Sequence, residues 1–401
     1  LRQGNLTQIL RFVRDHGPSS RHDIAHGCGL GISTMTDLIG ELRSRRLVKE
    51  LDPIRRPGAG RPTRPISFDG EPWCVLGMHL DIDQIQFGVT TIGGRELWQE
   101  TVEEDLDHAG PEAGLAIVER QLRRQLARIG EETSLIAVEV AVPGYVASDR
   151  ATVSWSNALN WRDVPLHDAI IDILADLGIT GVDVGVSNDC HLAALYAARR
   201  ELDLPSSSIA VYLGGARALG SGLIIGGEVF RGANGGAGDF GHLIVDPAGP
   251  GCWCGRSGCL QSLVGLEYLL TSSDLQSADD AARVVKEQPQ RAVQLLVDAS
   301  GSVRVREVLQ QAGATLGRAI DGVIGMVNPQ AVALGGYLAA LSPQLLPTIE
   351  ERTAGRVDIP AFSATTVIAV EPNVPRVLNG AILSARDACF YDPLALTRPV
   401  S

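Results

Sequence analysis

No apolar run in the 401 residues is long enough to span a membrane, and the first residues lack a basic stretch leading into an apolar one. Neither a membrane-spanning helix nor a secretory leader is expected. Seven cysteines are present without a paired framework, which excludes a disulfide scaffold and points to a reducing cytoplasm. The first residue is Leu1 rather than Met, so the natural start is expected upstream. Apolar residues, at 45%, are plentiful, and so is glycine, with 45 residues. The first implies two or three domains with substantial cores. The second implies many tight turns or loops that let a ligand approach the backbone.

Charge is divided along the chain. Residues 1–66 hold 12 Lys and Arg against 6 Asp and Glu, a net of +6, while the remainder holds 23 against 41, a net of −18. A basic head on an acidic body points to an anionic partner for the head alone. Within that head, Leu6, Ile9, Leu10 and Val13 recur at helical spacing, as do Met35, Leu38, Ile39 and Leu42. Gly17-Pro18 ends the first helix, and Ser19 or Ser20 caps a short second one. The glycine-containing turn 27–31 then leads to the third helix, giving a helix-turn-helix. Ser33, Thr34 and Thr36 lie near the start of the third helix, where a recognition helix meets bases and phosphates, and Arg43 stands near its end. After the short strand 47–50 comes an arginine-rich segment whose Gly-Arg-Pro core reads as a wing, with Arg61 as the cation entering a minor groove. A solvated three-helix bundle with a basic linker is the plainer alternative, and the charge division argues against it.

The strongest chemical signal is GDFGHLIVDPAGPGCWCGRSGCLQ, residues 238–261. It spaces His242, Cys252, Cys254 and Cys259 as H-x9-C-x-C-x4-C. One imidazole and three thiolates form the ligand set of a closed tetrahedral structural zinc site, one ion per chain. A chance grouping or a disulfide is the alternative. The presence of a fourth ligand of the right type beside the three cysteines favours the metal.

Residues 75–98 read as two strands, a Gly-Gly turn and a third strand, and residues 208–230 repeat that pattern. Each meander leads on to helix and strand. That suggests the α/β duplicated fold of the actin and ribonuclease-H-like group, two lobes with a ligand held between them. The expected domains are the winged helix-turn-helix over 1–68, a first lobe over 69–190 joined by a closing helix in 378–401, and a second lobe over 191–377 carrying the zinc loop 242–259.

GDFGH followed by CWCGRSGCLQ resembles the signature of the ROK family, which groups repressors, open reading frames and sugar kinases. The resemblance runs over nearly the whole chain, and the basic head is similar to the winged helix of ROK repressors. It implies sugar contacts at Asn157, Asn188, Asp189, Asp239, His242 and Gln261. In the family's kinases the residue matching Asp189 is the general base. An Asn-Asp pair is also a common helix cap, so Asn188-Asp189 carries both readings. The chain departs from the family where a glutamate is usual at Asp239 and at Gln261. It departs further at the phosphate loops. The Asp-x-Gly-Gly-Thr loop is here Asp81-Ile82-Asp83-Gln84, and the Gly-Thr-Gly loop is Gly214-Gly215-Ala216-Arg217. A second carboxylate beside a triphosphate is unfavourable.

The expectation is a sugar-responsive repressor of carbohydrate-use genes, without kinase activity. It would bind double-stranded operator DNA as a homodimer or homotetramer, take a sugar or sugar derivative, and keep clear of membranes. The alternatives are an ATP-dependent sugar kinase with an added DNA-binding head and a regulator whose body senses a protein partner.

Overall fold

The computed structural model describes residues 2–53, 63–130, 132–202, 204–205, 207–354 and 365–397. Three helices open it: α1 (Arg2–His16), α2 (Arg21–Gly27) and α3 (Ile32–Ser44). The apolar stripes of α1 (Leu6, Ile9, Leu10, Val13) and α3 (Met35, Leu38, Ile39, Leu42) are buried, as a 3.6-residue period dictates for helices with one dry face. Ser20 caps α2. Its Oγ accepts from the Asp23 N–H at 3.2 Å and donates to the Asp23 carboxylate at 2.8 Å. Strands β1 (Val48–Glu50) and β2 (Ile66–Phe68) pair antiparallel, Val48 opposite Phe68, and Ser19 bridges onto Ile66. They form the stem of the expected wing. Its tip, residues 54–62 with Arg61, lies outside the described residues.

The chain forms two compact units, Leu1–Ser187 with Ala381–Ser401, and Asn188–Gly380. Beyond the opening helices, the first contains β3 (Trp73–Leu80), β4 (Gln84–Thr91), β5 (Glu96–Glu103), α4 (Gly110–Leu126), β6 (Ser134–Val142), β7 (Tyr145–Val146), β8 (Val153–Ser156), β9 (Trp161–Val164), α5 (Leu166–Asp176) and β10 (Asp183–Asn188). Its main sheet has the order β10-β6-β3-β4-β5, and β7-β8-β9 form a small sheet of their own. Strands β3, β4 and β5 are an antiparallel meander, while β6 runs parallel to β3. Strand β3 is buried along its whole length, which explains a near-continuous apolar sequence interrupted by His79. Trp161 is buried against Gly114, where an added Cβ would lie 2.9 Å from the indole ring.

The second unit contains α6 (Asp189–Arg200), β11 (Ile209–Gly214), β12 (Gly220–Ile225), β13 (Glu228–Val229), a 3-10 turn at Phe240–His242, α7 (Leu260–Val264), α8 (Leu266–Ser272), α9 (Ala278–Glu287), α10 (Pro289–Asp298), α11 (Val303–Val327), β14 (Ala331–Leu334), α12 (Gly336–Ala340), α13 (Ser342–Thr353) and β15 (Thr366–Ala369). The sheet order is β13-β12-β11-β14-β15, with β14 parallel to β11 and β15 parallel to β14. Numbered within each unit, both sheets run third-second-first-fourth-fifth, which is the expected duplication in topological form. The chain closes with α14 (Arg376–Ala388), which crosses back into the first unit at Ala381, and α15 (Pro393–Leu396).

Inside the first unit, the carboxylate of Glu139 on β6 is buried. It pairs with Arg150 and accepts from Ser187 Oγ at 2.6 Å and Ser384 Oγ at 3.1 Å. A carboxylate taken out of water needs such partners on most of its lone pairs. One element differs from expectation. The apolar pattern of residues 312–327 predicts a helix there, and α11 begins nine residues earlier, at Val303. The charged stretch 274–283 reads as a solvated helical face, and α9, which overlaps it, buries only Ala281 and Val285.

Candidate functional site

The candidate metal ligands sit on a tight knuckle of the second unit. Residues 250–259 fold back on themselves. Gly251 bridges Ser257, Cys252 N–H donates to Arg256 O at 2.7 Å, and Gly258 N–H donates to Pro250 O at 2.8 Å. Gly258 has φ +72°, and a Cβ there would lie 1.5 Å from the backbone oxygen of Asp246. Only glycine fits that position. The 3-10 turn brings His242 against the knuckle, with Nδ1 3.5 Å from Cys252 Sγ. Cys254 Sγ and Cys259 Sγ are 3.6 Å apart, and the four donor atoms lie within 4.8 Å of one another. Zn–S bonds near 2.3 Å and Zn–N bonds near 2.0–2.1 Å imply tetrahedral edges of about 3.8 Å and 3.6 Å. The two measured edges match within a few tenths of an ångström, so the quartet could hold a metal ion and is consistent with a zinc site.

The electrostatics of the knuckle suit the same ligands. Burial raises the Cys254 thiol, but hydrogen bonds from Arg256, backbone and side chain, and from the neighbouring cysteines outweigh it and hold the thiol at about 7. Burial, then Cys254 and Cys252, push Cys259 up to about 12. A bound cation would reverse that second shift by favouring thiolate. Burial lowers His242 toward the neutral imidazole that ligation requires. Trp253, half exposed, meets the His242 ring edge-on at 4.5 Å.

The residues expected to meet a ligand are divided between the two units. Asn188 caps α6, its Oδ1 accepting from His191 N–H at 3.0 Å, and Asp189 opens that helix. Asp189 Oδ1 accepts from Cys190 N–H at 2.7 Å, so the helix-cap reading of the pair is present in the structure. Burial, followed by the charges of Asp189 and Asp239, raises the Cys190 thiol, so these two carboxylates lie near one buried sulfur. Asp239 also acts on His191 and His242. Gln261 lies on α7, directly after the last cysteine, and is half-buried. Asn157 belongs to the other unit, in the exposed turn between β8 and β9. Sequence reasoning passed over His191. Burial and Arg231 drive this imidazole down to about 4, so it is neutral near pH 7. Its signal was its place, three residues after a capping asparagine.

A family model described as the ROK family matches residues 84–381. The chain belongs to the ROK family. The chain is 24% identical to a xylose repressor of Bacillus spizizenii over 356 residues, 88% of this chain and 87% of that protein. It is 32% identical to a kanosamine kinase of Amycolatopsis mediterranei over 232 residues, 57% of this chain and 71% of the kinase. A crystal structure titled as a ROK family transcriptional regulator, homologous to the E. coli MLC protein, superposes with a TM-score of 0.80 at 22% identity, covering 98% of both chains.

In this ROK chain the two loops that match the family's phosphate loops make contacts of their own. Asp81 N–H donates to Gln84 O at 2.9 Å and Ile82 N–H donates to Asp81 Oδ1 at 2.8 Å, so two of the first turn's backbone donors are met within it. In the second loop Gly215 O accepts from Tyr337 N–H at 3.1 Å, and Arg217 Nε donates to Lys286 O at 2.8 Å. Gly336 has φ +52°, and a Cβ there would lie 2.1 Å from Gly215 O, so backbone conformation and close packing both require glycine.

On the head, Ser33, Thr34 and Thr36 are exposed on the first turns of α3, and Arg43 is exposed at its other end. Arg43 shares the Glu50 carboxylate with Arg21, at 3.5 and 2.5 Å. Arg61 lies outside the described residues. Among the described residues, no helix is long and apolar enough to cross a membrane.

Proposed function

We propose that the chain is a sugar-responsive, DNA-binding transcriptional repressor of carbohydrate-use genes, without kinase activity. The support that weighs most is the extent of the likeness. The xylose repressor is matched over 88% of this chain, while the kanosamine kinase is matched over 57%. In this reading Ser33, Thr34, Thr36 and Arg43 on α3, with Arg61 of the wing, meet operator DNA, and a dimer or tetramer places two heads on two half-sites. Asn157, Asn188, Asp189, Asp239, His242 and Gln261 meet the sugar. Zinc on His242, Cys252, Cys254 and Cys259 cross-links the knuckle beside them. Ligation through Nδ1 leaves the opposite nitrogen of His242 to donate to a sugar hydroxyl, coupling metal to ligand. The sugar releases DNA by preferring the arrangement that binds DNA less well.

The test is fluorescence anisotropy on DNA from upstream of the protein's own coding region, titrated with sugars and sugar phosphates. Release by one sugar is the expected result. Binding indifferent to all of them would remove the sugar from the reading, and no binding would remove the DNA.

A second reading, a sugar kinase, draws on the 32% identity to the kanosamine kinase and on Asp189 at the kinase base position. Sugar-dependent ADP release in a coupled assay would establish it. The departure of both loops from the phosphate-binding sequences, with a second carboxylate at Asp83, favours the outcome of no turnover.

A further inference from the structure

Arg43, Arg45 and Arg46 stand together at the end of α3, and by charge alone each could serve a phosphate. Contacts within the first unit set Arg45 apart. Its side chain is 13% exposed, against 59% for Arg43 and 52% for Arg46. Arg45 Nε donates to Glu41 Oε1 at 2.7 Å. Its Nη1 donates to the carbonyl of Thr397 and, at 3.4 Å, to that of Leu394. Its own carbonyl accepts from Trp73 Nε1 at 2.7 Å. The guanidinium therefore commits Nε and Nη1 to partners inside the chain, with its charge met by Glu41.

The stretch that receives Arg45 grips the head at several other points. Arg14 Nη1 lies 3.6 Å from the Asp387 carboxylate, and its guanidinium sits 4.5 Å over the Phe390 ring. Phe390 in turn packs against Phe68 of the wing stem, with centroids 5.4 Å apart. Arg11 lies 4.9 Å over the Tyr391 ring, and Thr7 Oγ1 donates to Tyr391 O at 3.3 Å. Just before this stretch, Arg386 donates to Ile92 O at 2.9 Å and Ser384 to Glu139, both on the sheet side of the same unit. One end is thus tied to the sheet and the other to α1, α3 and the wing stem.

We propose that the stretch Asp387–Thr397 positions the recognition helix α3 and that Arg45 is its anchor, serving DNA through the placement of α3 and not by touching a phosphate. This rests on the DNA-reading role given to the head above. A phosphate contact would need an outward, solvated guanidinium, and Arg43 supplies one. An anchor needs a fork that reaches a carboxylate and two carbonyls together, which an ammonium cannot do.

The experiment uses the full chain with Arg45→Gln, Arg45→Lys, Phe390→Ala and, for contrast, Arg43→Ala. Two quantities are read: affinity for the protein's upstream DNA against salt, and hydrogen exchange of α1 and α3 without DNA. Arg45→Gln and Phe390→Ala are expected to weaken DNA binding about tenfold with an unchanged salt slope. Both should also speed exchange in α3, and Arg45→Lys should fail to restore either. Arg43→Ala should lower the slope by about one and leave exchange alone. The proposal is overturned if Arg45→Gln loses a unit of slope with α3 exchange unchanged, or if Phe390→Ala moves neither quantity. Should no variant or parent bind the DNA, the DNA-binding reading fails by itself. The exchange data then still decide whether the stretch holds α3, for faster exchange supports it and unchanged exchange refutes it.

Discussion

Replacing Gly258 by alanine tests the candidate metal knuckle through a single methyl group. The residue has φ +72°, a region where a non-glycine residue costs about 1–2 kcal/mol, or roughly 5–30-fold in an equilibrium constant. The new Cβ would also sit 1.5 Å from Asp246 O, a backbone atom that already accepts from Gly249 N–H at 2.8 Å. An ordinary contact needs about 3.4 Å, so one of the two backbones must move by well over an ångström. Cys259 is the next residue, and coordination tolerates only about 0.2 Å of error in bond length. The Cys259 thiolate should leave the ion or drag the knuckle with it. Gly258→Ala is therefore expected to lose metal to a competing chelator at a concentration at least about tenfold below that needed for the parent. Metal per chain would be measured by elemental analysis after graded chelator dialysis, with thermal unfolding alongside. If the variant keeps one equivalent of metal, the same chelator midpoint and the same Tm, the steric reasoning is wrong and the knuckle is more pliable than its hydrogen bonds imply.

Three further outcomes follow from the geometry. His191 has a folded pKa of about 4 against about 6.5 when unfolded, so the folded state binds fewer protons between those values. Its contribution is complete above pH ~6.5 and is lost as pH falls toward 4. Between pH 7 and 5 the second unit should lose about 2 kcal/mol, a loss that His191→Asn abolishes in urea titrations at the two pH values. An equal loss in the variant would remove His191 as the cause. Glu50→Gln releases Arg21 and Arg43 from their shared carboxylate and should tighten DNA binding about 2–5-fold at low salt, fading by about 1 M. Weaker binding in anisotropy would mean that Glu50 sets the shape of the head instead. Glu139→Ala removes the buried partner of Arg150, Ser187 and Ser384 and should cost the first unit at least about 2 kcal/mol. That is less than the 3–5 of a fully buried pair because Arg150 is a third exposed. Denaturant midpoints for Glu139→Ala and Ser384→Ala would separate the charge from the neutral bond.

The legible parts of the sequence were those with a short-range physical signature. The apolar stripes of α1 and α3, the meanders punctuated by Gly93-Gly94 and Gly226-Gly227, and the one-loop metal quartet each declare themselves within about twenty residues. Helix α11 was read late because Val303-Arg304-Val305-Arg306-Glu307 alternates like a strand, and only packing of Val305, Val308 and Leu309 into the second core makes it helical. The grip of Asp387–Thr397 on the head had no local signature. Its partners lie more than three hundred residues away, and Phe390 or Tyr391 looks the same whether it meets Arg14 or solvent. His191 was missed for a related reason, since burial turns an ordinary imidazole into a neutral one and burial is not written in neighbouring residues.

The twin sheet orders bear on how strongly a sugar could switch this protein. The scaffold is built twice with one topology, while the two hairpin turns diverge in sequence from the kinase pattern. A body that only binds has one energy source for regulation, the difference in sugar affinity between its two arrangements. A sugar held with a Kd between about 1 mM and 1 μM supplies roughly 4–8 kcal/mol in all. Moving a population from 1:99 to 99:1 needs about 5.5 kcal/mol of difference, which would require nearly all of that binding to be selective. Allosteric couplings more commonly run about 1–3 kcal/mol. The cognate sugar should therefore weaken DNA binding by about 5–150-fold and no more, and DNA should weaken sugar binding by the same factor. Calorimetric titration of the sugar with and without saturating operator measures that reciprocity directly. Unequal factors would mean that DNA and sugar act on different assemblies of the chain rather than on one two-state body.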